Sequence, residues 1–323
     1  MSCSKATESV CKKMLVKGPC DVSQMLAFFS NEAIFETEFA YVSLLKEGMY
    51  IESFNHTSQI LLAASLSLSE REELIATVPF IDDEYFDTKL LQREYRHVIF
   101  SMLTDYGLGL YRNKQNPKFT VAFGQYTIDY TKKENWDSIV NFWMKGSPSN
   151  ERIAKEYDFF QENYEYLGRS SQQNMVDNLQ CIRDRLPAQT KMIFLDGAEV
   201  PYHGSTKVSL AGRELQHKEL NKVLSGFVER NNTNCHIIHV TDYFTDDDPY
   251  LDTINHYKKI VYYRLAEAIQ AYISSVDSEV RLHTKNRTIL YAKYLFHKLR
   301  GIVSGSKVLL YCCLKKNNYP VSR

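Results

Sequence analysis

Four short runs of consecutive apolar residues limit what this chain can become: KKMLVKG, HVIFSML, TKMIFLDG and CHIIHV. None alternates apolar with polar residues, and each is cut off by a glycine, a charge or a turn signal. A strand that is apolar at every position is buried on both faces, the signature of a parallel sheet covered by helices. The intervening segments carry helical periodicity, as in VSQMLAFFS, SQILLAASLSLSEREELIATV, ELQHKELNKVLSGFVERNN and YKKIVYYRLAEAIQAYI. Buried strands alternating with amphipathic helices predict an α/β protein, a three-layer sandwich with a central, mostly parallel sheet. FAYVSLL reads as a second short strand. FTVAFGQYTIDYT reads as a strand or hairpin near a sheet edge, and residues 150–186 as helical, polar and Tyr-rich.

Net charge over the 323 residues is zero, so the total gives no sign of nucleic acid as a partner. The distribution is uneven. From Asp277 onward ten Lys/Arg face two acids, leaving 29 basic and 37 acidic residues before it, a net of −8 against +8. Such asymmetry marks an appended segment, and the expected division is 1–276 as the α/β domain and 277–323 as a basic C-terminal tail. Within the first, residues 108–190 exceed any normal crossover and form a hairpin and helical insert or cap. Seven cysteines are scattered without metal-ligand spacing, so no metal and no bound cofactor are expected. No apolar run approaches the roughly 20 residues that span a bilayer, and no N-terminal signal pattern is present. The expectation is a reducing, cytoplasmic protein, with membrane association left open.

In parallel α/β sheets ligands bind beyond the carboxyl ends of the strands. Cys20, Ser43, Asp105, Asp196 and the loop ending at His256 fall there. Cys20 follows Gly18-Pro19 at a strand-to-helix turn, where helix amides and the dipole favour a thiolate. A thiol there is a buried filler, a redox group or a nucleophile. As a nucleophile it needs a base, which His256 can supply, with Asp252 to orient the ring. The backbone N–H groups of Cys20 and Asp21 can donate to an oxyanion. Tyr106 and Gly107, behind Asp105, are candidates for substrate contact, as are Trp136 and Trp143 in the insert. Bland readings stand beside these. Asp252 and Asn255 can cap the following helix, Asp246-Asp247-Asp248 can be a solvated turn, and the insert aromatics can fill a small core of their own.

Gly18-Pro19-Cys20 and the block Asp252-Thr253-Ile254-Asn255-His256, followed by YYRLAEAI, resemble the SGNH or GDSL-type hydrolase superfamily. In that family a nucleophile follows the first strand, and an Asp and a His share a short block before the last helix. The resemblance spans roughly residues 14–273. Cys in the place of the usual Ser is similar to variants linked to bacterial surface-polysaccharide biosynthesis. Three departures are visible. One extra residue separates Asp252 from His256, Pro19 removes a backbone donor, and there is no Gly-x-Asn block. Ser43 and Asp105 are the nearest equivalents of that block's oxyanion donors.

The resemblance implies an acyltransferase, acetyl transfer included, or an esterase acting on a carbohydrate, with Cys20 as nucleophile, His256 as base and Asp252 as orienter. Acyl-CoA is the implied co-substrate of a transferase, and a carbohydrate or lipid-linked glycan the partner. A degenerate fold used for glycan binding or scaffolding is the alternative reading, and a glycosyltransferase the third. RTILYAKYLFHKLRGIV, residues 287–303, reads as a basic amphipathic helix for an anionic membrane surface, for the α/β body or for a second subunit. The oligomeric state is left open.

Overall fold

Each of the four apolar runs forms a strand of one parallel sheet in the computed structural model. The structure describes residues 14–31, 34–39, 42–45, 49–52, 55–79, 81–135, 150–202, 212–245 and 249–285. Within these, the side chains of Cys20, Phe39, residues 42–45, 49–52 and 150–154, Asp252 and Thr253 are not described. Trp136, Trp143, Asp246-Asp247-Asp248 and the segment 287–303 lie outside the described residues.

The sheet runs β10-β9-β5-β1-β2, with β1 Met14–Gly18, β2 Phe35–Phe39, β5 His97–Ser101, β9 Lys191–Leu195 and β10 Cys235–Ile238. Every pairing is parallel, with Met14 opposite Phe35 and His97, Ser101 opposite Leu195, and Cys235 opposite Met192. The three central strands carry their apolar residues on both faces because helices cover both. On one face Met14, Val16, Ile99 and Ile193 pack under α1 (Cys20–Leu26) and the last described helix. On the other, Leu15, Val98, Phe100 and Phe194 pack under the crossover helices. The result is a three-layer α/β sandwich.

The sheet's second strand differs from expectation. It is FETEF, not FAYVSLL. Val42–Leu45 (β3) pairs instead with Met49–Glu52 (β4) in an antiparallel hairpin of its own. FETEF hides in the sequence because an edge strand carries polar residues on one face. Glu38 there pairs with Lys17 of β1, which is 1% exposed, and Glu36 accepts from Tyr95 Oη at 2.8 Å. A buried lysine in a central strand is tolerated because that edge supplies its counter-charge.

Two helical readings also divide. SQILLAASLSLSEREELIATV breaks at Leu66, which is extended, into α2 (Thr57–Ser65) and α3 (Leu68–Thr77). Ser67 and Glu70 form a capping box there, which restarts the helix. Residues 150–186 hold α5 (Asn150–Asn163), a strand β8 (Tyr164–Arg169) and α6 (Gln172–Arg185). Strand β8 joins β6 (Leu108–Asn113) and β7 (Thr120–Gln125) in an antiparallel sheet ordered β7-β6-β8. The insert is therefore part sheet. Its tyrosines fill it: Tyr111 stacks on Phe123 with centroids 4.3 Å apart, Phe160 on Tyr164 at 4.8 Å, and Tyr157 is buried beside them.

The chain continues through α7 (Arg213–Arg230) into β10, a hairpin of β11 (Tyr250–Thr253) and β12 (His256–Tyr257), and α8 (Lys259–Val276). A short α4 (Leu103–Gly107) follows β5 directly.

Candidate functional site at the sheet rim

The strand order puts a crevice beside β1. From β1 the chain steps out to β2 and then crosses back to β5 on β1's other side, so the loops after β1 and β5 part from each other. Such a switch point is where open parallel sheets hold ligands.

Gly18 shapes the β1 side. Its φ is +153°, and a Cβ would lie 2.8 Å from Val22 Cγ2 and 3.0 Å from Ser101 Cβ. Only glycine lets the end of β1 pass this close to the end of β5. Pro19 then caps α1 with φ −72°, and Cys20 is the first helical residue. The approach to Cys20 is thus fixed by two residues with opposite backbone restrictions.

Asp21, expected to contribute its backbone amide, also contributes a carboxylate. That side chain is 2% exposed and accepts from Ser101 Oγ at 2.7 Å. Burial pushes it up to about 6; hydrogen bonds from Ser101 and the backbone, and the charge of His256, hold it from going further. His256 is half-buried in β12, which packs against α1. Helix α1 and the β11–β12 hairpin therefore bring Cys20's immediate neighbour and His256 within electrostatic reach. Asp252 sits in β11, where its successor Thr253 pairs with His256 across the hairpin.

A cleft of about 120 Å³ opens at this point. Its wall includes Pro19, Thr104, Gly107, Tyr126, Arg213 and Asn255. Pro19 and Asn255 are the direct neighbours of Cys20 and His256. Thr104 and Gly107 come from α4, Tyr126 from just beyond β7, and Arg213 from the start of α7. Among the described residues, none that lines it is acidic. Tyr106 is 2% exposed and stands behind the wall, with the Arg169 guanidinium 4.3 Å over its ring.

Asp105 is turned elsewhere. It is fully buried, and both its oxygens accept from the Thr57 N–H at 3.1 and 3.2 Å, with the Thr57 hydroxyl as a further donor. His56 Nδ1 lies 3.8 Å away but accepts from the Ser58 N–H at 3.1 Å, so the ring is neutral at that nitrogen. Burial raises Asp105 and lowers His56, and so disfavours charge on both. Asp105 secures the start of α2. Ser43 lies in β3 of the separate hairpin.

Asn55, His56, Ser101, Tyr126 and Arg213 are rim residues that sequence reasoning missed. Asn55 is buried with φ +67° and donates to the Gly18 carbonyl at 3.3 Å, tying the α2 entry to the Cys20 turn. Its signal was present: an Asn-His-Thr opening an apolar helical run is a cap pattern, and Asn tolerates positive φ. Farther along the rim, Asp196 accepts from the Val240 N–H and from His239 Nδ1, both at 2.7 Å. Burial pushes Asp196 up to about 6.

Among the described residues no group of three or more His, Cys, Asp or Glu side chains is arranged to hold a metal, and no helix is long and apolar enough to cross a membrane. No protein-family model matches the chain, and no curated protein matches it in sequence.

Proposed function

We propose that this chain is an SGNH-like acyltransferase or esterase acting on a carbohydrate, with Cys20 as nucleophile and His256 as general base. The observation that carries the reading is the cleft at the switch point, walled by the neighbours of Cys20 and His256. The Cys20 thiolate adds to the carbonyl carbon of an acyl donor, and the tetrahedral intermediate expels the donor's thiol or alcohol, which takes a proton from His256. The acyl group then rests on Cys20 as a thioester. An incoming hydroxyl gives its proton to His256 and attacks that thioester, releasing the product ester and the thiolate. With water as acceptor the same steps make an esterase.

Thr104, Gln125, Tyr126 and Thr127 give the cleft a hydroxyl- and amide-rich wall, which suits a polyhydroxylated acceptor. Asp21 and Asp252 both flank His256 in the fold, and we assign the orienting role to one of them. Surface-polysaccharide biosynthesis rests on the resemblance of the Gly18-Pro19-Cys20 and Asp252-to-His256 blocks alone, and so does acyl-CoA as donor.

The test is the pH dependence of Cys20 alkylation by iodoacetamide, read by peptide mass spectrometry in the parent and in His256→Ala. An unperturbed thiol titrates near ~8.5. The expected result is rapid reaction below neutrality, slowed in the variant, together with loss of acyl transfer in Cys20→Ala. A second reading, a degenerate glycan-binding fold, is favoured by Asp105, whose carboxylate is committed to Thr57 where the resemblance implies an oxyanion donor. An inert Cys20, or one indifferent to His256, selects that reading.

A further inference from the structure

Two hydrogen-bond donors on the wall of this cleft lack acceptors. Thr104 is 6% exposed, and its Oγ1 is buried without a hydrogen-bond partner among the described residues. Arg213, half-buried at the first position of α7, has its Nε buried without a partner in the same sense. Among the described residues no carboxylate forms an ion pair with it. Its neighbour His217 offers no negative charge: its Nδ1–H donates to the Ala198 carbonyl at 2.8 Å, and burial holds the ring down at about 4.

The contrast with Arg169 is instructive. That guanidinium also stands near the cleft, but it lies over the rings of Tyr106 and Tyr126, 4.3 and 5.7 Å from their centroids, and pairs with Glu219 at 3.2 Å. Arg169 is spoken for; among the described residues Arg213 has no such partner. A guanidinium stripped of water on one side without an acceptor is costly, and a carboxylate or phosphate relieves that cost through charge-assisted hydrogen bonds. A buried hydroxyl on the same wall, that of Thr104, adds a donor for a second oxygen. Among the described residues the wall carries no acid to neutralise Arg213.

We infer that the cleft binds an anionic group, a carboxylate or a phosphate, through Arg213 and Thr104. Resting on the acyl-transfer reading, this makes the reacting molecule an acidic one: either a sugar bearing a carboxylate or a carrier bearing phosphate. The anion binding itself needs neither Cys20 nor His256.

The experiment is isothermal titration calorimetry on the full chain with three probes: sodium glucuronate, inorganic phosphate and glucose. It is run at low and high salt on the parent, Arg213→Gln, Arg213→Lys, Thr104→Val and Cys20→Ser. The expected result is that at least one anion binds more tightly than glucose and weakens with salt. Arg213→Gln then loses about tenfold or more, Arg213→Lys keeps part of the affinity, and Thr104→Val falls severalfold. Glucuronate preference identifies the sugar carboxylate, and phosphate preference the phosphorylated carrier. Cys20→Ser binds as the parent does, so a failed alkylation test leaves this result standing on its own. Equal binding of glucose and both anions, or unchanged anion affinity in a folded Arg213→Gln chain, overturns the inference.

Discussion

Ser101 Oγ, at the end of β5, donates a 2.7 Å hydrogen bond to Asp21 Oδ2 in the first turn of α1. This bond joins the two sides of the crevice where the sheet order reverses. It also holds a carboxylate where burial makes charge expensive.

Asp21 should therefore set part of the pH dependence of folding. Its folded-state value is about 6 against an ordinary 3.8. Between those values the folded chain keeps the proton that the unfolded chain has lost, so stability falls as pH rises through this window. Above it the penalty is constant, about 3 kcal/mol at most. Asp21→Asn removes the charge and weakens the Ser101 bond, worth about 1 kcal/mol. The variant should be more stable than the parent by about 1–2 kcal/mol at pH 7.5 and no more stable at pH 4. Urea unfolding at the two pH values measures the difference, and Cys20 alkylation in the same variant reports whether His256 has lost its partner.

Gly18→Ala tests the close passage of β1 and β5. A Cβ at 2.8 Å from Val22 Cγ2 and 3.0 Å from Ser101 Cβ must push one strand or the helix away. The φ of +153° adds backbone strain for any other residue. Together these should cost about 2–5 kcal/mol, read as a lower denaturation midpoint. Because Ser101 is one of the atoms displaced, the Asp21 titration should shift as well.

What the sequence disclosed follows from burial. Strands β1, β5, β9 and β10 are covered on both faces or nearly so, and each holds consecutive apolar residues. FETEF and YEYLGR are edge strands with polar faces, and no apolar period marks them. VSLL is a strand as read, but it belongs to the β3–β4 hairpin and not to the parallel sheet. At the site, Cys20 and His256 are legible because position after a strand or before a helix is a local property. The Asp21–Ser101 bond and the orphaned Thr104 and Arg213 are not, because each depends on elements 80 or more residues apart meeting at one rim.

Asp105 separates a structural from an oxyanion role. Asp105→Ala leaves the buried Thr57 N–H and hydroxyl without acceptors and should destabilise the fold by about 2–4 kcal/mol. Asp105→Asn keeps one carbonyl acceptor and sheds a buried charge, so its loss should be under about 1.5 kcal/mol. A structural anchor gives this split in chemical denaturation, with Cys20 reactivity in Asp105→Asn close to that of the parent. An oxyanion contact gives equal loss of acyl chemistry in both variants.

His239 provides the control for His256. Both are histidines at the carboxyl rim, and both lie near a buried acid. His239 directly follows β10, a strand three positions from β1 and roughly 14 Å away at the usual strand spacing. Its side chain is 51% exposed, so solvent screens its charge, and Asp196 is its partner at 2.7 Å. His239→Ala should leave the pH profile of Cys20 alkylation where it is, while His256→Ala slows it. The same variant should raise the Asp196 titration above about 6, because burial then acts with one fewer opposing hydrogen bond. Since a raised acid loses stability as pH rises, the decline with pH should extend further toward neutrality in His239→Ala, which urea unfolding between pH 5 and 8 can follow. A His239→Ala chain whose Cys20 profile shifts as much as that of His256→Ala would mean that the two ends of the rim act as one site.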